Sequence, residues 1–330
     1  MNSRITYFFR HPSAGFSIAK VSQVFVNHFK QICPVRCLTV PYHTTGIISM
    51  LRNLFYVRRH RDREGINHLT GDYHYMVLAL IGCRSVLTVH DTVMADNSQS
   101  WVKRLFFKYT YFVWPLKFAG RIVCISENTR RSLMRFTSRT DIVVIPDAID
   151  TTIFSYSPKS FNAACPHILM IGTGWNKNVE RELRALQGLA CRVTIVGKLT
   201  SSIRKAIEET GVDCENLFDL TDKEIFNLYS QSDMVLFCSL YEGFGMPILE
   251  ANMAGRPVIT SRIAPMPEVG GNAACYVDDP HDIRQIREAI KKVIGNAAYR
   301  DDLIAKGREN AKRFLPSVID EAYARVYDSF

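Results

Sequence analysis

The residues best placed to do chemistry lie in Ser239–Gly255, SLYEGFGMPILEANMAG, directly after the apolar run MVLFC. Glu242 stands in the loop that follows that run. Gly243 and Gly245 bracket Phe244, so the backbone there can approach a ligand closely. Pro247 is placed to open a helix and Gly255 to end it, which puts Glu250 about one turn inside. A helix N-terminus preceded by glycines offers N–H groups and the positive end of a dipole to an anion. Glu242 and Glu250 cannot hold that anion, but they accept hydrogen bonds from hydroxyls. A ligand carrying both phosphates and sugars satisfies the whole pattern. The bland alternative is a glycine-rich turn with two surface glutamates.

Three other stretches repeat the arrangement of strand, loop and helix. In ILMIGTGWNKNVER a β-branched run meets Gly172 and Gly174, and Lys177 near the next helix start is a point charge for a phosphate. No third glycine follows at the dinucleotide-binding position, so Gly-x-Gly alone is a weak sign. In VLTVHD, His90 follows an apolar strand and projects from its end; a lone histidine is also commonly structural. In RHPSAGFS, Gly15 starts a helix and admits either a ligand or a plain turn.

The elements that must carry these residues are short β-branched runs separated by helical stretches. In the first half they are Ile5–Phe9, Val35–Val40, Ile66–Leu69, Val86–Val89, Ile122–Ile125 and Ile142–Ile145. In the second they are Ile168–Ile171, Val193–Val196, Asn216–Asp219, Met234–Cys238, Pro257–Thr260 and Ala274–Val277. Such alternation indicates two α/β domains, each a doubly wound parallel sheet, with ligands at the carboxyl ends of the strands in the cleft between them. The expected division is 1–155, 156–314, and a helix over 315–330 that packs back toward the first domain. SYSPKSFN, near Asp150–Phe161, reads as the linker.

Composition narrows the class. The chain has 330 residues, with 47% hydrophobic and 22% charged, which is ordinary globular usage and argues against disorder. No apolar run reaches the roughly 18–20 residues of a membrane helix, and the opening MNSRITYFFRHPS lacks a signal-peptide core. A cytoplasmic protein is expected. Its nine cysteines form no Cys-x-x-Cys pair and suit reduced thiols. The charge is lopsided: residues 1–155 hold 20 Lys+Arg against 9 Asp+Glu, a net of +11, and residues 156–330 hold 21 against 23, a net of −2. A basic half suits nucleic acid, an anionic membrane or phosphorylated ligands, or is simply a solvated surface. The basic-aromatic stretches Arg52–Arg63 and Trp101–Arg121 are where a membrane interface would form, although the inner face of the second should be aromatic core.

Taken together, YEGFGMPILEA, MAGRPVITS, PMPEVGGNAACYVDDP, IGTGWNKN, VTIVGK, TVHD, CISENTRRSL and VIPDAID resemble the retaining glycosyltransferases of family four, which have the GT-B fold. The likeness covers about residues 66–315 and is strongest in the second half. It implies that Glu242 contacts the transferred sugar's hydroxyls. Gly243, Phe244, Gly245 and Met246 would present backbone to the sugar and diphosphate, and Glu250 would bind the ribose. Lys177, with Gly172 and Thr173 beside it, would neutralise the diphosphate. His90 would approach the reaction centre, and Gly15 the donor phosphate or the acceptor. Three departures stand out: Ala14-Gly15 replaces a glycine pair, Thr173 replaces a frequent Arg, and Pro146-Asp147-Ala148 replaces Pro-Asn-Gly. Asn176-Lys177-Asn178 comes close to the Arg-Lys-Asn of a subgroup that includes mannosyltransferases.

The resemblance implies hexosyl transfer, mannose favoured, from a nucleoside-diphosphate sugar to a glycan or lipid-linked acceptor in cell-surface polysaccharide synthesis. GDP-mannose is the favoured donor and a UDP-sugar the alternative. No Asp-x-Asp occurs, so no metal or other cofactor is expected. The expected partners include an anionic membrane at the inner face of the cell and exclude nucleic acid, since RRM, KH and zinc-finger signatures are lacking. The competing readings are a sugar-nucleotide epimerase of the same fold and a catalytically silent binding protein. A nicotinamide-dependent oxidoreductase is disfavoured by the missing third glycine.

Overall fold

Among the described residues, the β-branched runs form twelve strands in two sheets of six, every pairing parallel. The computed structural model describes residues 4–14, 17–43, 46–96 and 100–330. Met1–Ala148 together with Pro316–Phe330 make one unit, and Ile149–Leu315 the other.

The first unit contains β1 (Ile5–Phe9), β2 (Val35–Thr39), β3 (Ile66–Leu69), β4 (Arg84–Val89), β5 (Arg121–Cys124) and β6 (Ile142–Val144). Their order is β2-β1-β3-β4-β5-β6. Side chains alternate across a strand, and both faces of this sheet are covered, so the strands are apolar on both sides. Phe8, Leu69, Leu87, Val89 and Ile122 face one core, closed by the helix Ile47–His60 and the segment around Tyr111 and Phe112. Ile5, Tyr7, Phe9, Ile66, Val86 and Val123 face the other.

That second core is closed by the helices Ser17–Ile32 and Pro316–Asp328. Phe25 stacks on Tyr323 with ring centroids 4.2 Å apart. The Tyr327 hydroxyl meets His68 Nδ1 at 2.7 Å and Tyr7 Oη at 3.1 Å, and His68 Nε2 meets Thr88 Oγ1 at 2.8 Å. Burial holds His68 neutral, its pKa pushed down to about 3, so one ring nitrogen donates and the other accepts.

The second unit contains β7 (His167–Ile171), β8 (Arg192–Val196), β9 (Asp213–Leu217), β10 (Met234–Phe237), β11 (Val258–Ser261) and β12 (Cys275–Val277), ordered β12-β11-β10-β7-β8-β9. The third of these is expected over Asn216–Asp219 but runs over Asp213–Leu217. It is an edge strand paired only with β8, and Asp219 turns out of extended backbone at φ 56°. Asn296 caps the helix Ala297–Ala311 where it follows the helix Ile283–Gly295. Its side chain accepts the Tyr299 N–H at 2.9 Å, as Asp282 accepts that of Arg284 at 2.9 Å.

The segment read as a linker is tied into the second unit. The join lies at Ala148–Ile149, ahead of position 155, because both residues are buried and the Ile149 N–H bonds the Phe314 carbonyl at 3.0 Å. The Ser157 N–H bonds Ala254 O at 3.3 Å, Lys159 pairs with buried Asp233, and the Tyr156 ring lies against Gly255. All nine cysteines are free, four of them buried. No helix among the described residues is long and apolar enough to cross a membrane.

Candidate functional site

In the second sheet the strand order reverses between β7 and β10, the switch point at which open α/β sheets bind ligands. The residues following these two strands meet there. After β7 the chain makes a single 3-10 turn, Trp175–Lys177, then a left-handed Asn178 (φ 62°), then the helix Val179–Leu186. After β10 the loop through Glu242 leads to the helix Met246–Ala254. Lys177 Nζ donates to Glu242 Oε1 at 2.7 Å. Their side chains are only 19% and 12% exposed, so the pair is largely withdrawn from water.

The surroundings hold both partners in place. Asn176 Nδ2 donates to Glu242 Oε1 at 3.2 Å and to Tyr241 O at 2.8 Å, and the Leu240 N–H bonds Asn176 O at 2.7 Å. The Lys177 ammonium lies 4.7 Å from the centroid of the Phe237 ring, a cation–π contact. Its stem crosses Gly172: a Cβ on that glycine would lie 2.8 Å from Lys177 Cε, and φ is +91°. The positive φ favours glycine there, and a side chain would also displace the flexible end of Lys177. Thr173 Oγ1 donates to Lys198 O at 2.8 Å, which ties the turn to the next loop.

Gly245 has φ 114° and leads into Met246 and Pro247 at the start of the helix, and Gly255 ends it at φ 76°. The opening N–H groups of a helix have no intrahelical acceptor, and here they follow directly on the loop that holds Glu242. Phe244 is buried, 5.9 Å from the Phe314 ring, so its backbone rather than its side chain is left to a ligand. One turn into the helix, Glu250 Oε2 accepts the Tyr229 hydroxyl at 2.6 Å. Lys177 and Glu242 are thus in direct contact over Gly172. Thr173 lies on the same β7 loop, and Gly243, Phe244, Gly245, Met246 and Glu250 lie on the loop and helix that follow β10.

Sequence reasoning missed Glu182. It lies on the inner face of its helix, three residues after buried Val179, and its Oε1 accepts the Cys238 N–H at 2.5 Å. Burial pushes its carboxyl up to about 8, partly offset by that N–H and by the charge of Lys177. A glutamate at an inner helical position was the available sign. Asn178 was singled out only as part of the Asn176-Lys177-Asn178 likeness, with no role of its own. Its Nδ2 donates to Cys238 O at 3.1 Å and Pro280 O at 2.8 Å, so it ties the turn after β7 to the chain just after β10 and β12.

His90 lies in the first unit, after β4. Its Nε2–H donates to Thr70 O at 3.1 Å, its carbonyl accepts Thr129 Oγ1 at 3.2 Å, and its Nδ1 is 4.0 Å from Asp147 Oδ1. Burial raises the Asp147 carboxyl above the usual range, with His90 pulling the other way. Arg10 and Asp72 pair at 2.5 Å beyond the ends of β1 and β3, where this sheet's order reverses. Asp91 is raised by burial and by Asp72. Neither Arg10 nor Asp72 was singled out from sequence, although each is a charged residue just past an apolar strand. Gly15 lies outside the described residues. Among the described residues no three His, Cys, Asp or Glu side chains gather as a metal-binding group.

Comparison with known proteins places this geometry. The chain matches the family model "Glycosyl transferases group 1" over residues 163–310 and "Glycosyltransferase Family 4" over 24–153. It is 38% identical over 93 residues to O-antigen chain mannosyltransferase B of Escherichia coli, covering 28% of this chain and 24% of that one. It is 22% identical over 279 residues to the MMP alpha-(1->4)-mannosyltransferase of Mycolicibacterium hassiacum, covering 76% and 68%. The chain spans about a quarter or less of the length of the first curated relatives it matches. Among solved structures, Anabaena HepE in complex with UDP and glucose superposes with a TM-score of 0.80 at 14% identity over 100% of both chains. Two Rossmann-like parallel sheets, with family models matching residues on both, make this chain a member of the family 4, group 1 glycosyltransferases of GT-B fold.

Proposed function

We propose that the protein is a retaining hexosyltransferase that moves mannose from GDP-mannose to a hydroxyl of a glycan or lipid-linked acceptor, without a metal ion, in cell-surface polysaccharide synthesis. The observation that carries this reading is the Lys177–Glu242 pair at the switch point of the second sheet, beside a helix N-terminus. The relatives named as mannosyltransferases favour mannose, and the UDP and glucose bound to HepE favour a nucleoside-diphosphate sugar as the donor class.

The chemistry follows from where charge develops. The bond from the sugar's anomeric carbon to the diphosphate breaks, and the acceptor oxygen forms a new bond to that carbon. The acceptor's proton passes to the leaving phosphate, so no protein nucleophile is needed. Negative charge builds on the departing diphosphate, where the Lys177 ammonium and the N–H groups before Pro247 are already oriented. Such preorganised donors are worth roughly 3–4 kcal/mol of barrier each. Glu242 accepts the transferred sugar's hydroxyls and Glu250 those of the ribose, as carboxylates do. Diphosphate binding draws Lys177 partly away from Glu242, which leaves a carboxylate oxygen for the sugar.

In this reading the acceptor side works at an anionic membrane surface, which the exposed side chains of two helical segments support. Ile47, Ile48, Leu51 and Phe55 are exposed on the helix Ile47–His60, beside Arg52 and Arg59. Trp101, Val102, Leu105, Trp114 and Phe118 are exposed on the segment 101–118, whose inner residues Tyr111, Phe112 and Leu116 are core. Apolar and cationic side chains interleaved on exposed helices suit a lipid interface.

A thermal-shift panel of nucleoside diphosphates, followed by transfer assays with labelled sugar nucleotides, tests the reading. GDP should stabilise the protein and GDP-mannose should be consumed in an acceptor-dependent way. A shift with UDP alone would reassign the donor, and no shift with any nucleoside diphosphate would overturn the transferase reading.

A further inference from the structure

The first unit holds a cationic cavity remote from its strand carboxyl ends. It has a volume of about 380 Å³ and lies at the amino ends of β1 and β2, beside Ile5 and Val35. Arg4, Arg36, Arg61 and Arg63 line it, with Asp62 as the one carboxylate among the lining residues. Asp62 is already engaged: it takes Arg4 Nε at 3.0 Å and the N–H groups of Gly65 and Glu64 at 2.8 and 3.0 Å. Burial raises its carboxyl, but those donors outweigh burial and hold it below the usual range.

Among the described residues the remaining three guanidiniums have no counterion. Arg36 donates to the His60 carbonyl and Arg61 to the Ala79 carbonyl at 2.7 Å. Arg61 Nε is buried without an acceptor among the described residues. No carboxylate among the described residues pairs with Arg36, Arg61 or Arg63. Like charges gathered around one cavity oppose folding unless an anion joins them.

We propose that this cavity binds a phosphate group carrying two or more negative charges, a phosphomonoester or a diphosphate, at a site separate from that of Lys177 and Glu242. Arginine forks match phosphate oxygens bidentately, and three uncompensated cations exceed what one carboxylate would neutralise. The volume leaves room for an organic group attached to the phosphate. The phosphate could be carried by a soluble metabolite or by a lipid headgroup. Arg61 and Arg63 directly follow the helix Ile47–His60, whose outer face is apolar and basic. This site does not depend on the transferase reading.

The test titrates inorganic pyrophosphate calorimetrically into the wild type, Lys177→Ala and the double variant Arg36→Ala/Arg63→Ala. The Lys177→Ala protein should retain binding, and the double variant should weaken it about tenfold or more at this site, since each lost contact is a charge-assisted hydrogen bond. Arg36→Lys/Arg63→Lys keeps the charge without the fork and should fall between. Unchanged melting and sugar transfer in the two arginine double variants show that the fold and the other site are intact. Vesicles containing phosphatidic acid, matched in surface charge to phosphatidylserine vesicles, separate the sources. Phosphatidic-acid preference lost in the double variant puts the phosphate on a lipid; pyrophosphate binding without that preference puts it on a soluble ligand. Pyrophosphate and phosphatidic-acid binding both unaffected by the double substitution would overturn the proposal.

Discussion

Glu182→Gln should remove a pH dependence of stability that the wild type carries. The Glu182 carboxyl is buried beside Cys238, whose N–H it accepts at 2.5 Å. Burial raises its pKa from 4.5 to about 8, with Lys177 drawing it partly back. Between these two values the folded chain holds a proton that the unfolded chain has lost. Stability from this group is therefore fully present below about pH 4.5 and is lost as pH rises through about 8. A shift of about 3.5 units at 1.36 kcal/mol each amounts to about 5 kcal/mol. Roughly half of that falls between about pH 6 and pH 8.5.

Glutamine keeps an oxygen for the Cys238 N–H and cannot ionise, so Glu182→Gln should gain on the wild type as pH rises. Urea unfolding of both proteins at about pH 5, 7 and 8.5, followed by circular dichroism, reads the difference directly, because every other titrating group is common to the two. Glu182→Leu should instead cost about 1–3 kcal/mol relative to Gln at every pH, because the Cys238 N–H loses its acceptor. Parallel pH curves for wild type and Glu182→Gln would refute the assignment of a raised, proton-holding carboxyl at this position.

Lys177→Ala and Glu242→Ala should each lower sugar transfer by about a hundredfold or more with unchanged circular dichroism; near-wild-type turnover in both would sink the proposed mechanism. Transfer should persist in EDTA, and complete loss that is restored by a divalent cation would contradict a metal-free reaction. Gly172→Ala places a methyl 2.8 Å from Lys177 Cε at φ +91°, so it should cost about 1–2 kcal/mol and raise the donor KM by displacing the ammonium. In liposome flotation, Leu51→Ser/Phe55→Ser should reduce recovery with anionic vesicles; equal flotation of wild type and variant would count against membrane docking by this helix.

Much of the site was legible locally. Val179, Leu183 and Leu186 mark the inner face of a helix by spacing alone, and Pro247 and Gly255 bound the next one. Gly172 and Gly245 were readable as points of close backbone approach because glycine tolerates the left-handed backbone that both adopt. SYSPKSFN was misread for a comparable reason. Pro158 and the serines are turn residues, but Tyr156 has its partner at Gly255 and Lys159 at Asp233. Contacts across such a span leave no periodic trace. Arg36, Arg61 and Arg63 likewise read as scattered basic residues until β2 and the end of the helix Ile47–His60 bring them around one cavity.

The sequence by itself determined the twelve strands to within a few residues, the two-sheet α/β class, and the loop chemistry of Glu242, Lys177 and the helix after Gly245. Those properties depend on neighbours a few positions apart, through side-chain alternation, helix capping and backbone freedom. Only the tertiary structure decided that Lys177 bonds Glu242 across 65 positions and that Glu182 lies buried against Cys238. In each case the strand order sets the partner. β7 lies beside β10 rather than next to its sequence neighbours alone, and that order is chosen by burial summed over both faces of a whole sheet, a quantity no single stretch of sequence contains.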